Sequence, residues 1–112
     1  MKKVLFISLL IFVVTSINAQ QIDKNELKQL KTFLFQISHS NKTNAQIIGI
    51  KDLNNPSSWQ GVEWSNGHLK SIMWRGLSIE GELNLSNMVY LQNVDLSRNK
   101  LTKINVSGCS NL

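Results

Sequence analysis

The chain has 112 residues, 17% of them charged, with 12 basic against 7 acidic side chains and a net charge of +5. That length holds one small domain with little margin for a large core. Its bases are scattered and never run together, which argues against a nucleic-acid surface, where a clustered basic stripe is needed.

Residues 1–19 are expected to be a secretory signal peptide. Lys2 and Lys3 form a basic start, the apolar run from 4 to 17 is 14 residues long, and Ala19 puts a small residue at the cut. Spanning a bilayer takes roughly 20 residues, so no stable membrane insertion is expected after cleavage. The mature chain is expected to be secreted or held at the cell surface, with a net charge of +3 from 10 bases and 7 acids. Cys109 is the only cysteine, so no internal disulfide can form and stability must come from packing.

Residues 20–68 read as an N-terminal cap. Over 23–39, Leu27, Leu30, Leu34 and Ile37 recur at helical spacing with Phe33 alongside, and Asp23 followed by Glu26 resembles a capping box. Residues 40–58 are polar and irregular around Pro56, with a short apolar contact or strand within "AQIIGIKDL". Asn66-Gly67 is a strong hairpin signal, because both turn positions need positive φ, and apolar residues alternate on each side of it.

Residues 69–112 align with themselves. Leu69 falls over Leu91, Ile72 over Val94, Trp74 over Leu96 and Ile79 over Leu101; "LNLSNMVYL" then lies over "INVSGCSNL", giving periods of 22 and 21 residues. The spacing LxxLxLxxNxL, met by Leu91, Val94, Leu96, Asn99 and Leu101, is that of a leucine-rich repeat. Its asparagine is expected to hydrogen-bond backbone groups that the bend leaves unpaired.

This stretch resembles the units of secreted bacterial leucine-rich-repeat proteins. "WQGVEW" is similar to the segment that precedes the repeats in plant-type receptors, but Trp64 stands where that cap has a disulfide cysteine, and Leu77 occupies the asparagine position of the first unit. The resemblance implies an α/β repeat fold: a leucine-rich-repeat solenoid fragment with an N-terminal helix and β-hairpin cap and short parallel strands, one per repeat. Its units would be 69–90 and 91–111, truncated at the start of a third at Leu112. Because such a unit buries its apolar face only against neighbours, the expectation is the N-terminal part of a longer solenoid, or self-association through the open C-terminal end.

The residues between the core positions of each strand, Ser71, Met73 and Arg75, then Asn93, Asp95 and Ser97, should face outward together as a protein-contact surface. His39 and His68 have no metal-ligand spacing and read as exposed or helix-end residues; Cys109 aligns with Met88 as a small hydrophobe. The three tryptophans read as buried rather than as a sugar platform, and Glu80 and Glu82 as a solvated turn around Gly81. The sequence has no nucleophile elbow, no phosphate loop and no carboxylate pair whose spacing suggests acid/base work. The reading is therefore an exported, non-enzymatic recognition module without cofactor or metal, whose partner is a protein. The alternative is a structural N-terminal cap of a larger cell-surface protein, and a small secreted enzyme is the third class.

Overall fold

The computed structural model describes residues 21–112. The expected signal peptide, residues 1–19, lies outside the described residues. Helix α1 runs from Lys24 to Leu34, started by the Asp23 carboxylate, which accepts from the N–H groups of Asn25 and Glu26. Its apolar stripe buries Leu30, Phe33 and Leu34. The helix stops five residues short of the expected end at 39, and Ile37 stands 68% exposed rather than in the core. The chain breaks there because Ile37 bridges to Thr43 and the Gln36 carbonyl accepts from Asn44 N, which closes a loop in place of another helical turn.

The short apolar stretch after that loop is helical. In α2, Asn44–Ile48, Thr43 caps Gln46 N while the Gln46 side chain returns to Thr43 N, a full capping box, and Gly49 ends the helix at φ +91°. A 3-10 turn at Pro56–Ser58 follows. The indole N–H groups of Trp59, Trp64 and Trp74 donate to the carbonyls of Asp52, Pro56 and Gln60, so the three tryptophans fasten the 52–60 loop to the core.

Strands β1 (Val62–Ser65) and β2 (His68–Met73) form an antiparallel hairpin across Asn66 and Gly67, at φ +52° and +81°. Strand β3 is Glu80–Asn84, β4 is Asn93–Asp95 and β5 is Lys100–Asn105. One sheet has the order β1-β2-β4, with β4 parallel to β2; the other pairs β3 with β5 in parallel. Glu80 and Glu82 therefore lie in a strand and not in a loop.

These findings correct the expected architecture. Among the described residues there is no solenoid and no array of single-strand repeats: two helices and five strands make a small globule with two sheets, one of them mixed. The segments after Trp74 and Leu96 run on into β3 and β5 and pair there, so each half of the self-aligned stretch supplies two strands rather than one. The expected hairpin is present, β1 pairing antiparallel with β2, but the strands beyond it divide between two sheets instead of extending one array.

Strand β3 is closed by side chains. Gln36 donates to Glu82 O and accepts from Glu82 N; Asn44 donates to Glu80 O and accepts from Glu80 N; Gln29 donates to the carbonyls of Asn84 and Ser86. Amides from both helices and from the loop between them thus take the place of a neighbouring strand, satisfying backbone groups that burial would otherwise strand. Between the sheets lies one core of Leu69, Ile72, Trp74, Ile79, Leu83, Leu85, Met88 and Leu91 with the buried face of α1. Asn99 sits at the bend joining the sheets: its carbonyl oxygen accepts from Leu77 N and Ile79 N, and its amide donates to the carbonyls of Trp74 and Leu96.

Candidate functional site

The β1-β2-β4 sheet gathers most of the expected contact residues. Parallel register sets Ser71 opposite Asn93 and Met73 opposite Asp95. Just beyond the strands, Trp74 N donates to Asp95 O and Gly76 N to Ser97 O, so the chain around Arg75 continues beside Ser97. Met73, Arg75, Asn93 and Ser97 are exposed, Met73 by 50%. Ser71 is not free: it is buried against β1, where it pairs with Glu63, and its hydroxyl donates to Glu63 Oε1 at 3.3 Å. The hairpin was expected, but not the register shift between Glu63 and Trp64 that sets Glu63 opposite Ser71.

Asp95 is held by its own loop. Ser97 donates to Asp95 Oδ1 through its hydroxyl, at 2.6 Å, and through its backbone N–H, at 3.1 Å. The hydroxyl bond foremost, then the backbone bond and the charge of Arg75, keep this carboxyl below the usual aspartate range, against an opposing desolvation. A folded-state value below the unfolded one means that the carboxylate favours the folded state above its unfolded pKa, and that this contribution is lost as pH falls through the folded value. Replacing Ser97→Ala should therefore raise the Asp95 pKa, which a carbon-detected carboxyl titration by NMR reads directly; an unchanged midpoint would show that the hydroxyl does not set it.

A second group of polar residues lies at the hairpin end of the same sheet, around His68, which from the sequence is expected only as an exposed or helix-end residue. His68 is not a free surface histidine: its Nδ1 lies 2.8 Å from Glu26 Oε2, and Glu26 Oε1 accepts from Leu69 N at 2.7 Å. Glu26 is buried, so the carboxylate expected to cap its own helix instead ties α1 to β2. Asp23, Glu26 and His68 bring ligand-type atoms within 4.8 Å of one another. Both Glu26 oxygens are already engaged by the histidine and a backbone N–H, and this is the chemistry of a structural clasp. The His68 ring stacks on Tyr90 with centroids 4.2 Å apart.

No family model, curated protein or solved structure matches this chain. Beside the stacked pair is a cavity of about 350 Å³ lined by Ser65, Asn66, His68, Lys70, Tyr90 and Gln92. The self-alignment carried a usable signal for it: the spacing of 22 that sets Leu69 over Leu91 also sets His68 over Tyr90 and Lys70 over Gln92. On the far side, His39 contacts Glu80 through Nδ1, and this hydrogen bond leads the causes that lower the Glu80 pKa. Cys109 is half-buried, its thiol donating to Leu85 O. Among the described residues, no helix is long and apolar enough to cross a membrane.

Proposed function

We propose that the chain is an exported, non-enzymatic recognition module whose outward β2-β4 face contacts a protein. One observation carries this reading: Met73, half exposed on a paired strand, stands across from Asp95 and two residues before the exposed Arg75. An apolar anchor on a rigid element with charged neighbours is the usual core-and-rim arrangement of a protein contact. The low-entropy setting matters, because a strand fixed by neighbours on both sides has little order left to lose on binding.

A photo-crosslinking amino acid placed at Met73, and separately at the exposed Lys51 as a remote control, tests the reading. Exposed to extracellular proteins, the Met73 probe should give discrete adducts that the Lys51 probe does not, and Arg75→Ala with Asp95→Ala should abolish them. Indistinguishable adduct patterns from the two positions would refute the surface.

The second reading, a structural cap on a larger cell-surface protein, is favoured by a different observation. Leu83, Leu85 and Leu91 are at most 1% exposed, yet Ile104, Val106 and Leu112, their aligned counterparts, are 46%, 40% and 51% exposed. A further apolar layer against these residues, including one from a second copy, would suit a capping role. The two readings separate on whether the chain by itself has affinity for a partner at the Met73 face.

A further inference from the structure

We propose that the cavity at the hairpin end of the β1-β2-β4 sheet is a binding site for a carboxylated sugar. It is distinct from the Met73 face and does not rest on the protein-recognition reading. Three chain segments build it: the hairpin turn gives Ser65 and Asn66, the start of β2 gives His68 and Lys70, and the approach to β4 gives Tyr90 and Gln92.

Each wall is fixed from behind. Asn66 and Gly67 occupy the tight turn, and Asp23 N donates to Gly67 O, which pins the turn to the start of α1. Gln92 N donates to Lys70 O, locking the approach to β4 against β2. Glu26 holds His68 through Nδ1, and the His68 ring in turn supports the exposed Tyr90. A site whose parts are already ordered loses little entropy on binding.

The chemistry of the lining selects the ligand. Two side-chain amides and a serine hydroxyl can each donate and accept, the pairing that sugar hydroxyls require. Tyr90 adds an aromatic body with a polar tip. Lys70 is the one cation of fixed charge in the lining, and no carboxylate is among the lining residues. Its ammonium forms a long, partly exposed ion pair with Glu63 Oε2 at 3.9 Å, beyond hydrogen-bond reach, so a ligand carboxylate that accepts its N–H groups directly can compete for it. A volume of about 350 Å³ lies near the lower end of the range of roughly 300–1,000 Å³ for small-ligand sites, which suits a sugar unit better than a length of peptide.

The experiment is an NMR titration of the full chain with glucuronate, with glucose and a glutamate-containing tripeptide in parallel, following the ring signals of His68 and Tyr90. Glucuronate should produce saturable shifts of both rings and bind about tenfold or more tightly than glucose, as expected for one charge-assisted contact. Lys70→Gln should remove that advantage while leaving the melting temperature unchanged. Equal affinity for glucose and glucuronate, an unaffected Lys70→Gln variant, tighter binding of the tripeptide, or an absence of shifts would each overturn the proposal.

Discussion

Replacing Trp74→Ala should cost about 3–5 kcal/mol, the range for deleting a fully buried large aromatic side chain, and for a domain this small that threatens folding itself. Trp74 has no exposed surface, stacks on Phe33 of α1 with centroids 5.8 Å apart, and donates its indole N–H to Gln60 O at 2.8 Å. One side chain thus joins the helix, the sheet and the 52–60 loop. Trp74→Phe keeps most of the ring and loses the donor, leaving a carbonyl to find another partner; its cost should be clearly smaller. Urea unfolding of both variants measures the difference. If Trp74→Ala unfolds at nearly the wild-type midpoint, Trp74 does not organise this core.

Asn44→Ala should be the costliest of the polar substitutions, at roughly 2–4 kcal/mol, because unpaired buried backbone groups lose about 1–3 kcal/mol each. Asn44 is 1% exposed, and its amide donates to Phe33 O and Glu80 O while its oxygen accepts from Glu80 N. Asn44→Asp tests the same site without removing volume. The acceptor to Glu80 N survives, but both donors are replaced by a buried negative charge facing two carbonyl oxygens, so this variant should be no more stable than the alanine. Thermal melts of the two, with hydrogen exchange at Glu80 N, report whether the amide closes the β3 edge. A wild-type melting temperature together with unchanged exchange would show that it does not.

Features set by neighbours in the chain were legible in the order of residues. Asn66-Gly67 made the hairpin turn legible, since positive φ is a local property, and Asp23 marked where α1 starts. The spacing that sets Ile72 over Val94 is also the register in which β2 and β4 pair, and Asn99 binds backbone at a bend as its compact amide led one to expect. Thr43 and Gln46 carried an equally local capping-box signal for α2, although the short polar setting hid it.

Features that join residues far apart in sequence emerge only when the chain has folded. Glu26 has the pattern of a helix-capping residue, yet it serves β2, 42 and 43 residues away. Gln36 and Asn44 look like ordinary loop and helix residues until β3 arrives beside them, 46 and 36 residues on. Ser71 was read as open because spacing says which side of a strand a residue takes, but not that Glu63 will lie across it. The expected solenoid gave way to two small sheets for the same reason: periodicity fixes which side chains are apolar, while the pairing of strand edges is settled only when hairpin and helices compete for them.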